Sequence, residues 1–443
     1  MRTAVVLLTR DLRVRDQPAL AAAAAAAERI VPLFVFDPAV LGRFGAPNRV
    51  AFMLEALGDL DVSLRARGGA LIVREGDAVE QTMRAAQEVR ASAVFLSEDV
   101  SAYAQARERR LAAACEAEGL ELRVMPGVTV VPPGELVPAG GDHFKVFTPY
   151  WRRWRPAPRR SLVPAPRQIA IPARLASGRL PALADLVRGA PASELPRGGE
   201  SEGRRRLARW LARGVGEYDS LHDALAADGT SRLGAYLHFG CLSPLEVVER
   251  ALGHAGAEPF VRQLCWRDFY AQLLSARPET SHADFRPRGH RWRDDPVALA
   301  AWKAGRTGFP VIDAGMRQLA REGWMHNRAR LLTASFLAKN LRIDWRLGAA
   351  HFFDLLIDGD VANNVGNWQW VAGTGVDTRP NRVFNPISQG KRFDPGGEYV
   401  RRYVPELADV AGAAVHEPWK LAPRPKEYPA PILDPETRRI PGG

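Results

Sequence analysis

Five short apolar runs recur within the first 130 residues, at positions 5–8, 31–36, 71–73, 94–96 and 122–125, and the β signal all but vanishes after about Gly199. The runs are rich in Val, Leu, Ile and Phe, and amphipathic stretches rich in Ala, Arg and Glu separate them, such as 48–66 and 103–118. That alternation predicts strands and helices in turn. Strands separated by helices pair in parallel and are covered on both faces, so residues 1–130 are predicted to form a Rossmann-like α/β domain. No GxGxxG follows the first run, so a ligand there must be held by something other than the usual dinucleotide turn.

Between 131 and 199 prolines recur at short intervals, which predicts an interdomain linker packed on the surface, with a helix or two inside it. It carries one aromatic knot, Phe147-Thr-Pro-Tyr-Trp151 with Trp154. From 200 to 443 the apolar spacing is helical, at 203–213, 244–252, 259–274, 296–303, 311–322 and 327–340, predicting an all-α C-terminal domain. The Pro-rich tail beyond Pro418 is expected to drape over the surface.

The chain carries 61 basic and 50 acidic residues, a net charge of +11, which suits a polyanionic partner such as nucleic acid. Only six of the basic residues are lysine, and alanine runs such as 21–27 accompany the arginines, so a genome favouring Arg and Ala codons would give the same skew. Cys115, Cys241 and Cys265 are far apart and fit reduced, buried thiols; no metal site is expected from them. No apolar run approaches a membrane span, and the first one gives way to Arg10-Asp-Leu-Arg13, unlike a signal peptide. A cytoplasmic protein without membrane attachment is expected.

Four blocks hold the chemistry. Gln263, Trp266, Arg267 and Tyr270 lie at helical spacing on one face, where amide, indole and guanidinium can stack on and hydrogen-bond a planar heterocycle; an aromatic core stripe edged by Arg is the alternative. Asn327, Arg330, Leu331 and Ala334 share a second face, with Arg328 pointing elsewhere and able to reach a phosphate or base, or else the segment is only a polar helix start. Asp360, Asn364 and Trp368 share a third, whereas Trp368 and Trp370 point about 200° apart, so one indole can face a cofactor and the other a groove, unless both are core. Tyr218 and the run Thr230-Ser-Arg-Leu-Gly234 could bind phosphate at a loop before a helix, or serve as a helix cap.

These blocks, in this order, resemble the photolyase/cryptochrome family, and within it the class I cyclobutane pyrimidine dimer photolyases of the deazaflavin-antenna type. The resemblance runs from Thr9-Arg-Asp-Leu-Arg13 through Phe384-Asn-Pro386 to Tyr403-Val-Pro-Glu-Leu407. It implies an N-terminal antenna-binding domain, a linker, and a helical domain that binds FAD and DNA. It assigns Tyr218, Thr230, Ser231, Arg232, Leu233, Gly234, Phe260, Gln263, Arg267, Asn327, Arg330, Asp358, Asp360 and Asn364 to the flavin, Asn364 at the position facing N5. It places a photoreduction relay on Trp368, Trp345 and Trp292, and the lesion and its DNA on Gln263, Trp266, Asn327, Arg328, Leu331, Trp370 and Arg382. An antenna, 8-hydroxy-5-deazaflavin, would sit near Arg10, Phe34 and Asp99, with methenyltetrahydrofolate or an empty site as alternatives, and with Asp99 otherwise a helix N-cap. The implied activity is light-driven repair of pyrimidine dimers in UV-damaged DNA by a monomer without an obligate protein partner. The alternative is a cryptochrome-like photoreceptor that does not repair.

Three departures bear on that resemblance. Gln263 stands where many dimer photolyases have Glu, Leu331 replaces a frequent Met, and the loop Asp377-Thr-Arg-Pro-Asn-Arg-Val383 lacks an aromatic pair. A (6-4) photolyase would need two histidines where Asn327 and Leu331 stand, and the iron–sulfur branch would need four cysteines where there are three.

Overall fold

The computed structural model describes residues 1–173, 175–376 and 379–436. Two compact units emerge. One comprises Met1–Pro191, Pro196–Gly216 and Ser231–Pro278; the other comprises Ala192–Leu195, Glu217–Thr230 and Glu279–Gly443. An N-terminal α/β part with a parallel sheet is followed by helices, the fold class expected.

In the first unit β1 (Thr3–Leu8), β2 (Arg29–Phe36), β3 (Ile72–Glu75), β4 (Ala93–Ser97) and β5 (Glu121–Met125) form one parallel sheet in the order β3-β2-β1-β4-β5. Val5 lies opposite Val31 on one side and Val94 on the other, and Leu7 opposite Leu33 and Leu96, so the central strand is apolar along its length. Helices Pro18–Ala26, Pro47–Arg65, Ala78–Val89 and Ala102–Ala117 make the crossovers. Asp77 opens the third by accepting the Val79 and Glu80 amides at 3.0 and 3.1 Å, and Ser101 opens the fourth by accepting from Ala104. Ser101, and not Asp99, is therefore the cap there. The strand order reverses between β1 and β4, where α/β sheets place ligands beyond the carboxyl ends of the strands.

Arg13, in the charged loop after β1, is fully enclosed. Its guanidinium donates to the carbonyls of Asp16, Gly240 and Gly127 at 2.9–3.1 Å. Gly240 has φ +63°, and a Cβ there would lie 2.0 Å from the Arg10 carbonyl, so only glycine lets this turn meet the loop.

The connector is not a surface strap. Its aromatic knot forms the helix Phe147–Trp154, in which Phe147, Tyr150, Trp151 and Trp154 are all buried. The reason is Asp268, a wholly buried carboxylate on the helix Glu258–Ala276 that accepts the Trp154 indole N–H at 2.9 Å and the Val130 and Val131 amides at 3.0 Å. By satisfying the Trp154 indole together with two connector amides, this carboxylate lets the knot be buried without stranding its donor.

The second unit is helical. Pro296–Lys303, Pro310–Glu322, Asn327–Ser335, Trp345–Leu355, Val361–Ala372, Pro386–Phe393 and Glu398–Tyr403 surround a core that includes Trp302, Phe336, Trp345, Phe352 and Trp368. The helix expected over 327–340 is α-helical only to Ser335 and continues as a π turn, Phe336–Asn340, closed by the Leu341 amide on the Phe336 carbonyl at 2.9 Å. The tail is also more than drapery. Tyr428 is buried and donates to Asp313 at 2.6 Å, and the Ile432 amide bonds the Thr307 carbonyl at 2.9 Å. Asp313, fully enclosed, collects the Thr307 amide and hydroxyl and the Gly308 amide as well, which is why the tail inserts. Among the described residues no helix is long and apolar enough to cross a membrane. All three cysteines are free and buried.

Burial pushes the Asp268 carboxyl up to about 6 from its ordinary 3.8. Between those two values the folded protein holds a proton that the unfolded chain releases, so this group's contribution falls as pH rises through that window and is flat above it. Thermal denaturation of wild type and Asp268→Asn as a function of pH should show the difference between them changing across that window; a difference independent of pH would contradict the assignment.

Candidate functional site

A cavity opens in the second unit where three helices meet. Asn327, Arg330, Leu331 and Ala334 face it from the helix Asn327–Ser335, and Asn364 and Trp368 from the helix Val361–Ala372. Asp358 and Phe352 complete the wall. The face expected of Asn327, Arg330, Leu331 and Ala334 lines the cavity as a set, and of the face expected of Asp360, Asn364 and Trp368 the last two line it while Asp360 serves as the helix cap; small Ala334 leaves room for a flat group.

Hydrogen bonds fix these side chains. Asp360 caps its helix by accepting the Asn363 amide at 2.9 Å and its side-chain amide at 2.7 Å. Asn364 donates to the Ala349 carbonyl at 3.0 Å, which holds its amide against the preceding helix, Trp345–Leu355. Arg330 donates to the Met325 carbonyl at 2.8 Å and to Asp358 Oδ2 at 2.9 Å. The other Asp358 oxygen, Oδ1, is buried with no hydrogen-bond partner. A desolvated carboxylate oxygen left in this condition costs about 1–3 kcal/mol or more. It fits a ligand that brings a hydroxyl or ring N–H, and FAD has both, so the donor set suits that group. Asn327 is exposed at the mouth.

Trp368 is buried against Phe352 and Trp302, with ring centroids 4.9 and 6.1 Å away. Gly348, one turn after Trp345 on the same helix, makes this possible, since a Cβ there would lie 2.2 Å from the Trp368 ring. Trp345 is buried with its indole N–H on Asp284 at 2.9 Å. Trp292 is half-buried, packs on the edge of the same core and lies 4.9 Å from the His290 ring. Arg382 sits over the Trp370 ring at 5.0 Å, and Lys339 holds the adjoining loop through the carbonyls of Ala372 and Pro380 at 2.7 and 2.8 Å. Asp377 and Thr378 of that loop lie outside the described residues.

Arg328 differs from expectation. It pairs through Nε with Asp223 at 3.0 Å and covers the Phe393 ring at 4.3 Å, so its charge is committed within the unit rather than held open for a phosphate. Tyr218, on the short helix Tyr218–Leu221, lies 5.1 Å from the His222 ring. Thr230 ends that unit's segment.

In the first unit Gln263 is exposed and Trp266 half-exposed, on the face expected. One face of the Trp266 indole is already covered by Phe147, at 3.7 Å and 4° from parallel, so a base can stack only on the other. Arg267 donates to the carbonyls of Val128 and Leu237. Phe260 is buried beside Trp210 at 5.6 Å. Ser231 accepts the Leu233 amide at 3.4 Å, Arg232 takes φ +51°, and the helix Gly234–His238 follows, so Ser231 does act as the local turn former.

Arg10 and Asp99 stand just past the ends of β1 and β4 and pair at 3.0 Å, while Arg10 Nε also donates to the His238 carbonyl at 3.2 Å. Phe34 lies opposite Leu8 and is buried. Sequence reasoning missed Glu98 beside them, whose carboxyl is pushed up to about 7 by burial and by Glu108 and Glu135, and whose Oε1 is buried without a partner. A Glu ending an apolar strand was the available signal. It also missed Asp284, which no local pattern marks, and read Phe147 as part of the aromatic knot without pairing it with Trp266.

Residues 4–169 match the family described as DNA photolyase, and residues 260–440 match the FAD binding domain of DNA photolyase. A deoxyribodipyrimidine photo-lyase of Streptomyces griseus is 53% identical over 98% of this chain and 97% of its own length. A bacterial class III photolyase from Agrobacterium tumefaciens superposes with a TM-score of 0.93 at 31% identity, covering 99% of this chain and 96% of that one. An archaeal photolyase from Sulfolobus tokodaii, solved with two FAD molecules, gives a TM-score of 0.89 at 32% identity over 98% and 97% of the two chains. With its two matched segments and a relative of this identity along nearly its whole length, the chain belongs to the DNA photolyase/cryptochrome family.

Proposed function

We propose that this chain is a light-driven lyase that repairs cyclobutane pyrimidine dimers in UV-damaged DNA, using reduced FAD held in the second unit. The observation that carries the reading is the cavity that joins Trp368 and Asn364 to the unpartnered Asp358 oxygen. Arg330, Asp358, Asp360 and Asn364 would hold the flavin there with Asn327, Tyr218 and Thr230. Ser231, Arg232, Leu233, Gly234, Phe260, Gln263 and Arg267 are assigned to it by family likeness. When bound, reduced FAD supplies the photoexcited electron that opens the cyclobutane ring and then receives it back.

The chain's own residues do the rest. A dimer must leave the duplex, at a cost of a few kcal/mol that is smallest for damaged bases, and stacking on Trp266 and Trp370 at about 1–3 kcal/mol per base is large enough to offset it. Gln263, a neutral amide, can donate to and accept from the lesion but offers neither a carboxylic proton nor a charge. Leu331 gives apolar contact at the cavity wall, and Arg382 would take a flanking phosphate. Arg328 would have to share its charge with Asp223 to do the same. Trp292, Trp345 and Trp368 serve to return oxidised flavin to its working state.

Within the family we place the chain with class I dimer photolyases and assign 8-hydroxy-5-deazaflavin to the β1 and β4 ends near Arg10, Phe34 and Asp99. A folate, or no antenna, is the alternative, and the second FAD in the Sulfolobus tokodaii photolyase adds a flavin to the choices. Functionally, residues 1–130 would bind the antenna, 131–199 connect, and 200–443 bind FAD and DNA, even though packing groups Pro196–Gly216 and Ser231–Pro278 with the sheet. We expect a monomer in the cytoplasm.

Photoreduced protein mixed with UV-irradiated oligo(dT) should restore thymine absorbance under blue light and not in the dark. Bound, reduced FAD without light-dependent recovery would overturn repair and leave a photoreceptor. Separately, Trp292→Phe should slow photoreduction of oxidised flavin severalfold while chemically reduced protein still repairs; equal loss of both would show that Trp292 is not in the relay.

A further inference from the structure

Within the proposed relay, the middle tryptophan is the one whose surroundings are ionic. Trp345 is 1% exposed, and its indole N–H is bound to Asp284 Oδ1 at 2.9 Å. Arg346 lies over the same ring at 4.7 Å and donates to Asp284 at 2.8 Å and to Asp344 at 3.0 Å. Asp344 is fixed in turn as the cap of the helix that carries both residues, accepting the Arg346 amide at 3.0 Å. The two carboxylates and the guanidinium of this cluster carry one net negative charge between them, and of the carboxylates Asp284 is the one in contact with the indole. The cation over the ring disfavours a positive hole there, but it is shared between the two acids, whereas Asp284 touches the ring nitrogen directly. Trp368 has a different setting, packed against the neutral rings of Phe352 and Trp302.

We propose that Asp284 is a positioning residue of the electron relay, whose carboxylate makes Trp345 easier to oxidise than Trp368 and so drives the hole outward toward Trp292, with Arg346 as the opposing trim. The inference rests on the relay reading above. One electron moves from Trp345 to Trp368 after Trp368 has been oxidised by a photoexcited flavin. Trp368 becomes neutral and Trp345 carries the hole. No bond forms or breaks, and the indole proton stays in its bond to Asp284. Trp292 then fills the hole on Trp345, and a soluble thiol re-reduces Trp292. A carboxylate acceptor strengthens as positive charge grows on its donor, so the bond is stronger after oxidation than before. It also fixes the indole plane in a core where Gly348 allows Trp368 to approach the Trp345 helix.

The test uses flavin-loaded protein and follows tryptophan radical formation by ultrafast absorption, together with the Trp345 indole N–H resonance in the dark by nitrogen-15 NMR. Asp284→Asn keeps an acceptor but removes the charge. It should slow hole transfer from Trp368 to Trp345 by about tenfold, the scale set by exchanging a charge-assisted for a neutral hydrogen bond, and shift the indole resonance upfield. Asp284→Glu should restore both. Arg346→Gln should change the rate in the opposite direction, an effect that disrupted packing does not produce. Wild-type transfer in Asp284→Asn, or slowing in both Asp284→Asn and Arg346→Gln, overturns the role of Asp284 and leaves the relay standing. Undiminished photoreduction in Trp345→Phe overturns the relay and the inference with it.

Discussion

Three charged side chains taken into the interior collect their partners from distant segments, and the fold closes around them. Arg13 is held by three backbone carbonyl groups, Asp268 by two amides and an indole, and Asp313 by two amides and two hydroxyls. A hydrogen bond to a charged group is typically worth about 1.5–3 kcal/mol. Each of these groups therefore fixes chain segments that have little regular structure of their own: the loop after β1, the proline-rich connector and the C-terminal tail. Asp358 is the exception at the cavity, with one oxygen on Arg330 and the other unpartnered. Buried unpartnered atoms also occur elsewhere, on Glu98 and Asp268 among others, but Asp358 is the carboxylate whose unmet oxygen belongs to a residue lining the cavity, which is where a ligand is proposed to sit.

In the relay proposed above, packing in the helical unit sets the surroundings of each indole. Glycine at 348 admits the Trp368 ring, Phe352 and Trp302 surround it with neutral surface, and Asp284 gives Trp345 a carboxylate. Trp292 is more exposed than either, so the three indoles pass from a neutral interior, through an ionic setting, to a half-buried edge. Such a sequence favours movement of a positive hole outward, because water and charge both stabilise it increasingly along the way.

Periodicity made the strands, the crossover helices and the three polar helix faces legible, since side-chain direction follows directly from spacing. What it could not show was which distant groups would be satisfied together. Trp154 and Asp268 are 114 residues apart, Tyr428 and Asp313 are 115, and Arg328 and Asp223 are 105. The aromatic knot and the tail therefore read as surface, and Arg328 as available, because nothing local announces the acceptor. The alternative reading of Asp99 as a helix cap fails because Ser101 holds that place and Asp99 pairs with Arg10. The cavity residues were readable as a set, and the unpartnered oxygen among them became visible only in three dimensions.

The central claim, that the second unit's cavity holds FAD through Asp358, is most directly tested by titrating flavin-stripped protein with FAD and following flavin fluorescence. The account predicts one FAD per chain in the wild type and affinity reduced by about tenfold or more in Asp358→Ala, the loss expected for a charge-assisted hydrogen bond. Undiminished FAD affinity in a folded Asp358→Ala protein, or no stoichiometric binding by the wild type, would contradict it.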